Sequence, residues 1–202
     1  MTDNVTGLPK RGKTYHGGTP TSFDKSVDIE GSSAAFADDD TTSSGPSTRN
    51  SGRLTHCILV RNSSGISLEP KRVVKWASGQ RGKRVDGYGN ATAENVAGVV
   101  DDRLPAAGVA SNDLFWLMVK GPALVKTALE ANANNVISDN GVLVALTAAT
   151  SQATTSGRVV GQTLTGATQN LANQIQNRIG RAMSAKTTAN TNADVLVDLY
   201  LL

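Results

Sequence analysis

The chain contains few of the residues that carry chemistry. Only 4% of its 202 residues are aromatic, and only 18% are charged. The single cysteine, Cys57, excludes an intrachain disulfide framework and a zinc site built from several cysteines. The two histidines, His16 and His56, leave little room for histidine-based acid–base catalysis. We therefore expect a protein that is not an enzyme, needs no cofactor and acts by assembly.

Long hydrophobic runs are also missing. The longest uninterrupted apolar run spans residues 114–119, whereas a helix needs about 20 apolar residues to cross a membrane. The first residues lack the basic and apolar regions of a secretory signal. We therefore expect no membrane contact.

The motifs that usually mark an active site are absent or incomplete. Neither GxxxxGK[ST] nor GxGxxG occurs, so no phosphate-binding loop is indicated. His56 and Cys57 are adjacent on a predicted strand, where their side chains point to opposite faces. Asp101, Asp102 and Arg103 are consecutive, a pattern that favours a turn cap or a local ion pair over a metal site. We predict no catalytic and no metal-binding residues.

Positive charge is concentrated in one stretch of a chain whose formal net charge is +3. Between positions 61 and 84 the only acidic residue is Glu69. The basic residues of this stretch are Arg61, Lys71, Arg72, Lys75, Arg81, Lys83 and Arg84. Such a patch can meet an acidic protein surface or phosphate, or it can be a solvated loop. Binding to nucleic acid is disfavoured, because its electrostatic free energy grows with the number of phosphates neutralised.

The first 53 residues have the composition of an arm. Twenty-six of them are Gly, Ser, Thr or Pro, and only eight are large apolar residues. Such a segment buries too little apolar surface to offset its ordering entropy, so we expect it to be extended, irregular and ordered by a partner chain. The residues predicted to contact that partner are Val5, Leu8, Lys10, Arg11, Lys13, Tyr15, Phe23 and Phe36.

From residue 54 to residue 202, short apolar segments alternate with turn signals. The predicted strands span residues 54–61, 71–76, 94–100, 113–120, 123–126, 141–146, 158–161, 179–183 and 193–202. Residues 113–120 are nearly all apolar, which predicts a strand buried on both faces. Residues 165–178 have helical spacing and precede Gly180. We predict a mostly β domain, a small β-sandwich or β-barrel with at most one short helix, preceded by the long extended N-terminal arm.

The order of these segments over residues 55–202 resembles the decoration, or cement, proteins of tailed-bacteriophage capsids. The resemblance follows small Gly-, Val- and Ala-rich β elements that end in an Ile-Gly-Arg-Ala strand and a terminal arm. The matching segments are residues 61–65, 68–76, 96–102, 106–109, 114–122, 141–146, 157–160, 179–182 and 195–202.

The resemblance implies a structural virion protein on the capsid exterior. It implies binding to the major capsid protein, most often as a homotrimer at local threefold positions, and stabilisation of the shell by bridging neighbouring subunits. Two other functions stay open at this point. One is a β module that binds carbohydrate or a host surface from a particle, and the other is a nucleic-acid-binding β barrel.

Overall fold

Ten β-strands account for the regular structure in the described part of the chain. The computed structural model describes residues 11–15, 30–39, 50–88, 96–127, 142–145, 158–161, 178–185 and 194–201, and within these ranges there is no helix. The strands are β1 (Ser33–Asp39), β2 (Asn50–Asn62), β3 (Val73–Trp76), β4 (Arg84–Tyr88), β5 (Val96–Val100), β6 (Leu114–Lys126), β7 (Val142–Ala145), β8 (Val159–Gly161), β9 (Arg178–Ala182) and β10 (Asp194–Tyr200). The predicted mostly β fold is confirmed.

Five of the strands form a closed ring. Their order is β2–β4–β3–β5–β6, and a pairing between β2 and β6 closes it. The β2–β4 pair is parallel and the other four pairs are antiparallel. Strand β1 extends the sheet from β2, and β10, β9, β7 and β8 extend it from β6. The ring makes the described architecture a small β-barrel, because closure leaves its five strands paired on both sides.

Strand β6 separates two hydrophobic cores. Its residues alternate between them, because successive side chains of a strand point to opposite faces. Trp116 and Met118 belong to one core, which also includes residues of β7 to β10. Phe115 and Leu117 belong to the other, which is formed by the strands of the ring and the loops next to them. All four side chains have 0% exposure, so the predicted burial of both faces is confirmed.

β6 continues through residues 121 and 122, where the sequence predicted a break between two strands. The first half of the strand pairs with β2 and the second half pairs with β10. Gly121 has a φ of 90°, and a Cβ there would lie 2.2 Å from the carbonyl oxygen of Leu54. The carbonyl of Pro122 accepts a hydrogen bond from Thr55 Oγ1 at 2.8 Å. A glycine is therefore what lets β6 approach the neighbouring strand and continue.

Two strands lie where regular structure was not predicted. β1 falls inside the segment expected to be an irregular arm, and it pairs antiparallel with β2. β4 includes Gly87 and Tyr88, which had the composition of a turn, and it pairs with β2 and β3. The predicted helix at residues 165–178 lies outside the described residues, except for Arg178, which begins β9.

Candidate functional site

A buried arginine holds the N-terminal segment on the barrel. The guanidinium of Arg11 is 3% exposed, and its Nε donates to Asp101 Oδ1 at 2.8 Å. Its Nη2 donates to Asp102 Oδ1, also at 2.8 Å, and lies 2.8 Å from the sulfur of Met118. We name these contacts of Arg11 with Asp101 and Asp102 the arm clamp.

Backbone groups hold the two carboxylates of the arm clamp in place. Asp101 and Asp102 directly follow β5, and the Leu124 amide of β6 donates to Asp102 Oδ2 at 2.8 Å. The amide of Gly12 donates to Asp101 Oδ2 at 2.7 Å, and that of Arg103 donates to Asp101 Oδ1 at 3.2 Å. The predicted turn cap at residues 101–103 is thus confirmed. The sequence did not predict that Arg11 would join it from 90 positions away.

Burial and charge have opposite effects on the pKa values of the arm clamp. Burial raises the pKa of Asp101 above the ordinary value, against the opposite effect of Arg11. Burial alone would lower the pKa of Arg11, but the charges of Asp101 and Asp102 outweigh it and raise that pKa. The guanidinium therefore stays charged, and one cation faces two carboxylates.

A short antiparallel bridge fixes the other end of the same segment. The amide of Tyr15 donates to the Leu114 carbonyl at 2.9 Å, and the Leu114 amide donates to the Tyr15 carbonyl at 2.8 Å. Tyr15 also packs against the core that contains Trp116. Residues 11–15 are therefore held by a buried ion pair at one end and by backbone pairing at the other.

Glu30 forms a second link between the N-terminal region and the barrel. Its carboxylate accepts hydrogen bonds from Arg61 Nε and, at 3.1 Å, from Arg84 Nε. The Gly31 amide donates to the carbonyl of Leu59 in β2 at 2.8 Å. Arg61 and Arg84 of the predicted basic patch are thus paired with Glu30, an acid that lies outside positions 61–84.

A third cluster contains further members of the basic patch. Arg72 is buried, donates to Glu69 Oε2 at 2.7 Å through Nη2, and lies over the ring of Tyr88 at 5.0 Å. Lys126 Nζ lies 3.3 Å from the same Glu69 oxygen. Burial tends to raise the pKa of Glu69, but these two cations outweigh it and lower that pKa. Lys71 pairs with Asp194 at the start of β10.

The remaining basic residues lie at the β3–β4 turn, with Lys75 half-buried on β3 itself. The Lys83 and Arg84 amides both donate to the Gln80 carbonyl at 3.0 Å, which orders the turn. Arg81 and Lys83 are exposed, and the Arg84 side chain is 45% exposed. We name Arg81, Lys83 and Arg84 the basic loop. It is the part of the predicted patch that an ordered turn presents to solvent.

Four of the eight predicted arm contacts are within the described residues. Arg11 belongs to the arm clamp, Tyr15 and Phe36 pack against the core of the same chain, and Lys13 is exposed. Val5, Leu8, Lys10 and Phe23 lie outside the described residues. Contact of these eight residues with a capsid stays a prediction.

Among the described residues, the Cys, His and Trp side chains that could serve in catalysis or aromatic stacking are mostly buried. Trp76 and Trp116 are 9% and 0% exposed, so both are core residues. Cys57 is buried, and His56, its neighbour, is exposed, as expected for adjacent strand positions. Among the described residues, no group of three or more His, Cys, Asp or Glu side chains could hold a metal ion. That part of the chain also has no helix long and apolar enough to cross a membrane.

Comparison with known proteins gives no further guide to this site. No family model matches the chain, and a search of curated proteins found no match.

Proposed function

We propose that this protein is a structural virion protein that binds the outer surface of a tailed-bacteriophage capsid. It stabilises the shell by bridging neighbouring major capsid subunits, acts without catalysis, and assembles as a homotrimer. The observation that carries the proposal is the combination of a closed small barrel, an arm fixed to it by a buried arginine, and an ordered basic loop. The resemblance of residues 55–202 to decoration proteins supports the same function.

The N-terminal arm enlarges the area of contact with the capsid surface. Outside residues 11–15, β1 and β2, the first 53 residues are rich in Gly, Ser, Thr and Pro, so a partner surface can order them over a large contact area. The arm clamp and the Glu30 contacts fix two points of this region on the barrel. Each fixed point raises the effective concentration of the rest of the N-terminal residues near the surface that the barrel occupies.

The basic loop provides electrostatic attraction to the capsid surface. Arg81 and Lys83 are exposed at a turn whose backbone is held by hydrogen bonds, so their charges are presented from a defined position. Exposed charges at the rim of an interface mainly accelerate association and make it sensitive to salt. An acidic capsid surface is the partner that fits this chemistry.

The two alternative functions have weaker support. A carbohydrate-binding module needs exposed aromatic platforms, and the only two tryptophans in the chain are both core residues. Tyr200 is 42% exposed, which provides a single ring rather than a platform of several. Tyr88 bonds through its hydroxyl to the Glu69 amide and lies beneath Arg72. For nucleic acid, the net charge of +3 provides few cations to neutralise phosphates.

Attachment to purified expanded shells tests the proposal. The variant Arg81→Gln, Lys83→Gln, Arg84→Gln removes the basic loop. The matched control Arg53→Gln, Lys120→Gln, Arg181→Gln removes the same charge from exposed residues on other strands. Arg53 is 43% exposed and is paired with Asp198, much as Arg84 is 45% exposed and is paired with Glu30.

We expect the basic-loop variant to attach more weakly and with a smaller salt dependence than the wild type, and the control to attach normally. Sedimentation of shells with bound protein at several salt concentrations, within the range where the Debye length falls from about 30 to 8 Å, measures both effects. Equal attachment of both variants and the wild type, at every salt concentration, contradicts the role of the basic loop. No attachment of the wild type to any shell contradicts the proposed function.

A further inference from the structure

Residues 11–15 contact the barrel in the way that a bound peptide contacts its receptor. Their side-chain contacts include the two ion pairs of Arg11 and the packing of Tyr15 on the core, and their backbone contacts include one amide donated by Gly12 and two hydrogen bonds through Tyr15. Every one of these partners lies about 90 or more positions later in the chain. The segment therefore has its own recognition contacts, separate from any local fold.

The receiving surface is built by the barrel itself. Asp101 and Asp102 follow β5, which is paired with β3 and β6, and Leu114 begins β6. The amides of Arg103 and Leu124 hold the two carboxylates without any contribution from the arm. We name this surface, formed by Asp101, Asp102 and Leu114, the socket.

The geometry of the socket selects an arginine followed by a glycine. The guanidinium is a planar fork that donates to two separate carboxylates at once, which an ammonium group on a flexible stem does not reproduce. Gly12 has a φ of 80°, and a Cβ at this position would lie 3.2 Å from the Cβ of Arg103. A side chain at the second position would therefore be both strained and crowded.

We propose that the socket is a binding site for an arginine-glycine peptide, and that residues 11–15 of a second copy of this chain can fill it. The 14 residues between Tyr15 and Glu30 span at most about 50 Å when extended, so they are long enough to reach a neighbouring copy. The contacts are identical whether the segment comes from the same chain or from another, as in domain swapping. This inference concerns the chain alone and does not depend on capsid binding.

Two complementary full-length variants test the exchange. Arg11→Ala keeps the socket and lacks the arginine, and the double variant Asp101→Asn, Asp102→Asn keeps the arginine and lacks the acidic socket. We expect the immobilised double variant to bind the Arg11→Ala chain at least about 100-fold more tightly than it binds a second copy of itself, because truncating one partner of a buried charge pair has an effect of this size. Any self-association through other surfaces contributes equally to the two affinities, so it cancels when they are compared.

The control measures binding of the Lys13→Ala chain, in place of the Arg11→Ala chain, to the same immobilised double variant. Lys13 is exposed and its substitution leaves Arg11 in its own socket, so we expect no gain over the self-pair. Equal binding of all pairs overturns the proposal. Circular dichroism confirms that each variant is folded before it is used.

A measurement on the wild-type chain decides the question if a variant does not fold. A synthetic peptide of residues 8–15, Leu-Pro-Lys-Arg-Gly-Lys-Thr-Tyr, is added in excess, and hydrogen exchange is followed at the Gly12 and Tyr15 amides of the protein. We expect both amides to exchange faster as the peptide displaces the chain's own segment, and a peptide with alanine or lysine in place of the arginine to have much less effect. No acceleration, or equal acceleration by all three peptides, overturns the proposal.

Discussion

The contact between Phe36 and Trp116 decides whether the N-terminal region is part of the folded domain. Phe36 lies on β1, inside the segment whose composition predicts an arm, and Trp116 lies at 0% exposure on β6. Their ring centroids are 5.1 Å apart, and the rings meet edge to face with an interplanar angle of 70°. Substitutions at the two positions should therefore not be additive.

The size of the effect follows from burial and ring geometry. Trp116→Ala deletes a fully buried large side chain and should lower the free energy of unfolding by about 3–5 kcal/mol. An edge-to-face pair contributes about 0.5–1.5 kcal/mol beyond the area that it buries. A double-mutant cycle with Phe36→Leu and Trp116→Leu should return a coupling energy in that range, because leucine keeps most of the apolar volume and removes the ring contact.

Urea denaturation followed by circular dichroism measures all four members of the cycle. A second cycle, Phe36→Leu with Trp76→Leu, is the control, because Trp76 belongs to the other hydrophobic core. Distant sites are usually additive within about 0.3–0.5 kcal/mol. A Phe36–Trp116 coupling no larger than the control would refute the packing of β1 on the domain. A loss under about 1 kcal/mol for Trp116→Ala would refute the burial of Trp116 itself.

Two further predictions concern ionisable groups. Burial raises the pKa of the Cys57 thiol to about 12, so an aromatic disulfide reagent at pH 8 should leave the folded protein unmodified and react fully in denaturant; fast reaction in the folded state contradicts this. The lowered pKa of Glu69 means that its stabilising effect is present above pH 4.5 and is lost as the pH falls through the lowered value. The difference in unfolding free energy between wild type and Glu69→Gln should therefore shrink from pH 6 to pH 3, and a constant difference contradicts the ion pairs with Arg72 and Lys126.

The sequence predicted the strands whose apolar pattern is strong. Residues 114–119 are all apolar because both faces of β6 are buried there, and this is visible in the composition alone. Residues 193–202 have one firmly apolar face, and β10 occupies Asp194–Tyr200. The continuation of β6 through Gly121 and Pro122 was not predicted, because these residue types also form turns. The close approach of Leu54 that requires the glycine is a tertiary feature.

β1 and β4 could not be predicted, because their own residues provide little of their stability. β1 contains one large apolar residue, Phe36, and its strand geometry comes from pairing with β2. β4 buries Val85 and Gly87, half-buries Tyr88 and exposes its other two residues, and it is held by β2 and β3. In both cases the hydrogen bonds are made with a partner strand, and the hydrophobic pattern of the strand's own residues does not indicate this pairing.

The candidate site was predicted in part. Proximity along the chain grouped seven basic residues into one patch, but the fold places Arg61 with Glu30 and Arg72 with Glu69. Only the ordered turn between β3 and β4 presents the exposed part, the basic loop. The pairing of Arg11 with Asp101 joins residues 90 positions apart, and a single sequence has no signal for a contact of that separation.

The central claim is that this protein stabilises a capsid, and the heat stability of shells tests it most directly. Purified expanded shells are heated with saturating protein, without it, and with the basic-loop variant, and shell disruption is followed by calorimetry and light scattering. A bridge between subunits that binds only intact shells raises the temperature of disruption by mass action. The account predicts a higher disruption temperature for decorated shells than for bare ones, and a smaller increase with the basic-loop variant. Bare shells that survive heating as well as fully decorated shells would contradict it.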